Sequence, residues 1–155
     1  MDLQPLTSLI AGHPFCQGMR EDDLALITGC AANRRYAPGE LLFRAGDQAA
    51  HTWLLRQGRV SFEVAGPHGA VPLETAEEGE LVGWAWLFPP YQYHFDARAV
   101  GVVRAFELDG ACLRHKCEAD PRFGYELTRR MLQAAHRRLE RSRLQALDVY
   151  QRSGP

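Results

Sequence analysis

The hydrophobic pattern changes character twice along the chain. Residues 20–32 place apolar side chains on one face behind three consecutive acids, which predicts a short helix. From about residue 35 to residue 108 the chain consists of short runs in which apolar and polar residues alternate, and these predict β-strands. From residue 121 to about residue 150 apolar residues recur every three or four positions, which predicts one long helix that begins at a proline.

Turn residues interrupt the central segment at close intervals. No long helix separates the short strands, so the pattern favours an antiparallel barrel or jelly roll. We therefore predict a mainly β fold with flanking helices, a double-stranded β-helix over about residues 35–108, within one domain of residues 1–150 and a tail of residues 151–155. The predicted turns are Pro38-Gly39, Gly46-Asp47, Gln57-Gly58, residues 66–69, Glu78-Gly79 and Pro89-Pro90.

The long helix has two apolar faces. One face, with Phe123, Leu127, Met131 and Ala134, is expected to pack on the barrel. The other follows the three- and four-residue spacing of a coiled-coil seam, and from it we predict a homodimer. The alternative is an amphipathic helix that packs only on its own domain. The seam residues are Leu132, Ala135, Leu139, Ser142, Ala146 and Val149.

Composition limits the class of protein. The 155 residues are 46% hydrophobic and 24% charged, an ordinary balance for one globular domain. No apolar run approaches the length of about 18 residues that a membrane span needs, and the N-terminus lacks a secretory signal. We expect a cytoplasmic protein without a membrane segment.

The charge is unevenly distributed along the chain. Residues 1–120 carry 10 Lys and Arg against 16 acids, whereas residues 121–155 carry 8 Arg against 3 acids. Such a basic helix either contacts nucleic acid phosphates or is simply a solvated face, and we favour the second interpretation. The arginines in question are Arg129, Arg130, Arg137, Arg138, Arg141 and Arg143.

A series of glycines in a fixed order resembles the cyclic nucleotide-binding domain of the Crp/Fnr family. The resemblance covers about residues 13 to 150 and implies a β-roll, a ligand cassette between two late strands and a long dimerisation helix. Family members that regulate transcription carry a helix-turn-helix module after that helix, and residues 151–155 are too few to build one, so we expect no specific DNA binding. The motifs are Tyr36-x-Pro38-Gly39-Glu40-x-Leu42, Gly46-Asp47, Leu54-x-x-x-Gly58-x-Val60 and Gly79-Glu80-x-x-Gly83.

The cassette departs from the family pattern at its two polar anchors. In ligand-competent relatives a Glu after the second glycine holds the ribose and a later Arg pairs with the cyclic phosphate. Here Trp84 stands at the Glu position, and the Arg position falls on Tyr93 or His94. The ligand-binding residues predicted from the cassette are Gly79, Glu80, Leu81, Val82, Gly83, Trp84, Ala85, Trp86, Tyr93, His94, Phe95 and Arg98.

The cassette aromatics allow two interpretations. They either fill the emptied site as core residues or line a pocket for a planar or apolar effector. We predict a regulatory module that senses a small molecule or binds a partner protein, with binding of cAMP or cGMP as an alternative and no other cofactor expected. Arg98 follows on the next strand, and alternation alone leaves its direction open.

Other classes of function have weaker support in the sequence. The six histidines form no H-x-H pair, and no Gly-x-Ser-x-Gly elbow occurs, so we expect neither catalysis nor a catalytic or metal-binding residue. A thiol- or metal-based redox sensor on the same fold is an alternative. The residues of such a sensor would be chosen from Cys16, Cys30, Cys112 and Cys117. In a cytosolic protein such thiols are usually reduced. His115 and Lys116 would lower the pKa of a neighbouring thiol.

Overall fold

The computed structural model describes residues 5–152. Helices and strands follow one another in the predicted order, with 3₁₀ turns at Pro14–Cys16 and Ala85–Leu87. The helices in this part of the chain are Leu6–Ala11 (α1), Glu21–Thr28 (α2), Gly110–Ala119 (α3) and Pro121–Arg152 (α4). The strands are Ala31–Tyr36 (β1), Leu41–Phe43 (β2), His51–Gly66 (β3), Gly69–Ala76 (β4), Leu81–Val82 (β5) and Asp96–Asp109 (β6).

The strands form one antiparallel sheet in the order β1-β6-β3-β4, with β2 paired to β6 and β5 paired to β3. Leu54, Leu55, Val60 and Phe106 of this sheet are fully buried. Burial of these side chains supplies the main stabilising term of the fold. The predicted class, a jelly roll with flanking helices, is confirmed.

One predicted turn, Gln57-Gly58, is not a break between strands. The segments on either side of Gly58 form the single 16-residue strand β3, and Gly101 lies inside β6 in the same way. Both glycines have positive φ, and the β3–β6 register shifts around Gly58, so each bends the strand as a bulge without ending it. A Cβ at position 58 would lie 2.2 Å from the carbonyl oxygen of Val102, which is why only glycine fits there.

Helix α4 packs along the roll through its first half. Phe123, Leu127 and Met131 are buried there, as the barrel-facing pattern predicts, and Arg122 forms an ion pair with the buried Asp23 of α2. The predicted tail begins within α4, since residues 151 and 152 are helical and the last three lie outside the described residues. Among the described helices, none combines the length and the apolar character that crossing a bilayer requires.

His13 is a buried histidine that ties the N-terminal segment to the roll. Its Nε2 donates to the carbonyl oxygen of Leu55 at 2.7 Å, and its Nδ1 accepts from the Phe15 N–H. Burial lowers the pKa of His13 below 6.5, the Leu55 hydrogen bond opposes this, and the charge of Arg56 adds to it. The ring is therefore held as the neutral Nε2–H tautomer.

Stability is expected to fall on acidification because of His13. Above pH 6.5 the ring is neutral in both the folded and the unfolded chain; below it the unfolded chain takes up a proton first, so stability is lost as the pH falls toward the lower folded pKa. Urea unfolding at several pH values at and below 6.5 measures the slope of the free energy of unfolding against pH. His13→Gln should make the slope shallower, and an unchanged slope in this variant would contradict the assignment.

Candidate functional site

The predicted cassette has the backbone conformation that its two flanking glycines allow. Gly79 and Gly83 have φ of 88° and 85°, in the left-handed region that favours glycine. Between them β5 pairs with β3, and the 3₁₀ turn Ala85–Leu87 and a loop then lead to β6. These constraints place the ring of Trp84 and the side chains of residues 93–95 around one concavity.

This concavity is a cavity of about 430 Å³ between the cassette, strands β3 and β4, and helix α4. Its size suits a small organic molecule, for which sites measure about 300–1,000 Å³. Six of the twelve predicted site residues line it, namely Gly83, Trp84, Ala85, Tyr93, His94 and Phe95. The other lining residues are Phe43, Phe62, Leu73, Glu74, Arg138 and Ser142.

The remaining predicted residues are engaged elsewhere. Leu81, Val82 and Trp86 are buried core residues, and Gly79 lies against Pro14. Arg98 donates from Nε to Glu63 at 3.0 Å and from Nη1 to the Gly39 carbonyl at 2.8 Å. Arg98 thus lies against β3 and the turn before β2, and it does not line the cavity.

Tyr93 lines the cavity, and two contacts hold its side chain in place. Its ring stacks on Phe43 with centroids 3.7 Å apart, and its hydroxyl donates to the His51 carbonyl at 2.6 Å. Burial raises the pKa of Tyr93 to about 12, although the His51 hydrogen bond acts in the opposite direction. The phenol is therefore neutral at physiological pH, while His94, at the other candidate Arg position, is exposed.

The basic group of the cavity comes from α4. Arg138 is only 8% exposed, and its Nη2 donates to the Leu81 carbonyl at 2.6 Å. Its guanidinium lies 4.7 Å from the ring centroid of Trp84 and 5.3 Å from that of Phe62. Arginine stacks well on aromatic faces in such sites, so this side chain links α4 to the cassette.

Two carboxylates balance the arginines at this end of the cavity. Arg138 lies 3.6 Å from Glu74 and 3.8 Å from Glu80, and Arg141 approaches Glu80 at 2.7 Å. Burial alone would raise the pKa of Glu80, but the Arg141 hydrogen bond, the Glu77 N–H and the two arginine charges lower it. Burial lowers the pKa of Arg138, and Glu74 and Glu80 partly offset this. Two positive charges thus face two negative ones.

The family model of the cyclic nucleotide-binding domain matches residues 33–120, more than half of the chain. The chain belongs to this family. No curated protein matches the sequence.

Solved structures with the same fold include binding and regulatory proteins. A candidate cyclic nucleotide-binding protein from Geobacter metallireducens GS-15 is 23% identical with a TM-score of 0.78, and the match covers 88% of this chain and 99% of that one. The sensor domain of the transcriptional regulator DNR from Pseudomonas aeruginosa is 18% identical, with a TM-score of 0.67 and coverage of 86% and 91%. The regulatory subunit of a cAMP-independent protein kinase A from Trypanosoma cruzi, bound to guanosine, is 17% identical, with a TM-score of 0.59 and coverage of 77% and 47%.

In this cyclic nucleotide-binding domain the face of α4 turned away from the roll is apolar. Leu132 is 71% exposed and Leu139 is 49% exposed. A groove of about 620 Å³ beside Leu132 is lined mainly by apolar side chains, including Trp84, Phe88 and Tyr125. Trp84 therefore lines both this outer groove and the cassette cavity.

The arginines of α4 are largely used within the domain. Seven of its eight arginines form ion pairs, with Arg137 as the exception among the described residues. Arg130 also donates to the carbonyls of Phe15 and Gln17 at 2.8 Å. Most arginines of this helix therefore already have an acidic partner within the same domain.

The four cysteines fall into two kinds. Cys30 and Cys112 form a disulfide, so the expectation of reduced thiols is wrong for this pair. Cys117 is free, and its pKa is raised by burial and by the charges of Glu118 and Asp120. The expectation that Lys116 would lower the pKa of a nearby thiol is therefore wrong for Cys117, since the Lys116 ammonium donates to the Leu26 carbonyl.

The sequence contained one signal for Arg138 that the cassette motif does not include. The barrel-facing series of α4 runs from Phe123 through Leu127, Met131 and Ala134 at spacings of four, four and three residues. Adding four to the last member reaches Arg138. Extending the buried face by one step therefore places an arginine against the roll.

Proposed function

We propose that this chain is a regulatory sensor module that binds a neutral, planar effector of nucleoside size in the cassette cavity. Occupancy of the cavity alters the packing of α4, through which two copies of the chain associate. The observation that carries the proposal is the position of Arg138, which stacks between Trp84 and Phe62 and is balanced by Glu74 and Glu80.

The charge balance opposes a cyclic phosphate. A phosphate at Arg138 would have to displace Glu74 and Glu80 or lie beside two carboxylates that are within 4 Å of the same guanidinium. Like charges placed together in a partly desolvated site cost several kcal/mol. A neutral ligand leaves these pairs intact and replaces only water.

The walls of the cavity favour a planar ring with polar edges. Phe62, Trp84 and Phe95 provide ring surfaces, and Glu74, His94 and Ser142 provide hydrogen-bonding groups at the margin. Stacking on aromatic rings is available to any planar heterocycle. The guanosine-bound neighbour from Trypanosoma cruzi supports this class of ligand, because its fold holds a nucleoside without a phosphate.

Helix α4 is the element that reports occupancy. Arg138 and Ser142 belong to α4 and line the cavity, so a ligand contacts the helix directly. Trp84 adds a second route, because the same ring lines the outer groove beside Leu132. An effector that favours one position of Trp84 and Arg138 would shift the population of α4 packings.

A second copy of the chain is the proposed occupant of the outer face of α4. Leu132, Leu139 and residue 146 recur every seven residues, as do Ala135, Ser142 and residue 149. This is the heptad spacing of a two-stranded coiled coil, in which identical helices meet along one seam. Small residues at half of these positions allow the two helices to approach closely.

Calorimetric titration with adenosine, guanosine and cAMP tests the choice of ligand. Adenosine and cAMP share the base and most of the ribose and differ in the cyclic phosphate, so the pair isolates the charge. We expect a nucleoside to bind at least about tenfold more tightly than cAMP. Binding of cAMP with equal or higher affinity would contradict the proposal and favour the cyclic nucleotide alternative.

Glu74→Gln should partly restore affinity for cAMP. The substitution removes one of the two carboxylates that balance Arg138 while keeping the shape of the side chain. We expect cAMP to bind about tenfold more tightly than to the wild type, with little change for adenosine. Glu78→Gln, an exposed acid nearby, is the control and should change neither affinity. If Glu74→Gln leaves cAMP binding unchanged, charge balance is not what excludes the phosphate.

A further inference from the structure

The disulfide between Cys30 and Cys112 lies away from the cassette cavity. The Cα atoms of its two cysteines are 5.8 Å apart, and the two residues are 82 positions apart in sequence. The bond therefore closes a loop that contains all six strands of the sheet. Cys30 is 8% exposed, whereas Cys112 is half-buried in the first turn of α3. Cys112 is therefore the more accessible of the two residues to a reagent from solvent.

The two other cysteines are poor competitors for thiol chemistry. Burial raises the pKa of Cys16 to about 12, with the Arg130 charge acting in the opposite direction, and Cys16 is buried. The pKa of Cys117 is raised by burial and by two nearby acids. Because the thiolate is the reactive form, neither is expected to react quickly.

We propose that Cys30–Cys112 is a thiol–disulfide exchange site that accepts small thiols of the glutathione class at the sulfur of Cys112. This site is separate from the lining of the effector cavity, so the proposal goes beyond the function proposed above. It makes the domain responsive to the thiol pool as well as to a ligand.

The exchange proceeds in two balanced steps. A thiolate attacks Sγ of Cys112, the S–S bond breaks, and Cys30 leaves as a thiolate that takes a proton from solvent. A second small thiolate then attacks the sulfur that the first small thiol contributed to the mixed disulfide at Cys112. This releases the oxidised small disulfide and the Cys112 thiolate, so two electrons pass from two small thiols to the protein.

The position of α3 connects this chemistry to the cassette. Arg114 of α3 donates to the carbonyl of Trp86 in the cassette, and Lys116 donates to the carbonyl of Leu26 in α2 at 2.7 Å. The disulfide is the covalent link between α3 and the strand that follows α2. Its cleavage leaves α3 held by these hydrogen bonds and by apolar packing against its neighbours.

Mass spectrometry of the native protein treated with glutathione tests the site. Trypsin separates all four cysteines into different peptides, since Arg114 and Lys116 lie between Cys112 and Cys117. In the air-oxidised protein we expect two free thiols, those of Cys16 and Cys117, and four after reduction. The mixed disulfide trapped by acid quenching should be on the Cys112 peptide.

Three results would overturn the proposal. These are four free thiols in the native protein after exposure to oxidised glutathione, an adduct on Cys30 or Cys16 instead of Cys112, and resistance of the disulfide to glutathione until urea unfolds the chain. Cys30→Ser provides a second measurement, because oxidised glutathione should then leave a mixed disulfide on Cys112 that no neighbouring protein thiol can resolve. Cys117→Ser is the matched control and should leave the exchange rate of the pair unchanged.

Discussion

Replacing Arg138 by alanine is expected to lower the free energy of unfolding by about 2–3 kcal/mol. The guanidinium is buried and donates to the Leu81 carbonyl, so its removal leaves that oxygen and the Glu74 carboxylate without their partner, while Glu80 keeps Arg141. The full cost of breaking a buried ion pair is larger, but both glutamates are partly exposed and water can solvate them. The packing on Trp84 and Phe62 is lost as well.

Urea unfolding of three variants separates these contributions. Arg138→Met keeps an apolar stem of similar length between the two rings, so it should recover part of the loss. Arg137→Ala removes the neighbouring exposed arginine and should change stability by less than about 0.5 kcal/mol. Equal stability of Arg138→Ala and Arg137→Ala would show that Arg138 does not hold α4 on the cassette.

The double variant Leu132→Glu with Leu139→Glu is expected to convert the proposed dimer into a monomer. Both leucines are exposed on α4, one heptad apart, where each glutamate would bring an unpaired charge into the seam. Buried charges of like sign at such positions should weaken association at least about a hundredfold. Light scattering after size-exclusion chromatography measures the mass directly.

The matched control for the seam is Leu144→Glu. Leu144 is as exposed as the seam leucines, but it lies outside the heptad series, so the wild-type mass should be retained. A monomeric wild type at every concentration tested would contradict the proposed dimer. A monomer produced equally by Leu144→Glu would place the interface on another face of α4.

The glycine pattern predicted the roll because its glycines mark backbone conformations that other residues rarely adopt. Gly39, Gly46, Gly79 and Gly83 all have positive φ, as the predicted turns require. The same signal was ambiguous at Gly58, since a positive φ serves a bulge as well as a turn. Local sequence does not distinguish the two, because the difference depends on pairing with β6.

The parts of the site that could not be predicted depend on contacts distant in sequence. The cassette motif contains no arginine, and Arg138 reaches it from a helix 57 residues beyond Leu81. The direction of Arg98 depends on Glu63, which is 35 residues away. The pairing of Cys30 with Cys112 likewise joins elements that only the closed sheet brings together.

Hydrogen–deuterium exchange with and without adenosine tests most directly whether α4 senses occupancy of the cavity. If α4 senses the ligand, exchange slows in two segments at once, residues 81–87 of the cassette and residues 135–146 of α4, and cAMP produces neither change. Protection by cAMP in both segments and none by adenosine would contradict the proposed ligand class. Protection by adenosine confined to residues 81–87 would contradict the role of α4.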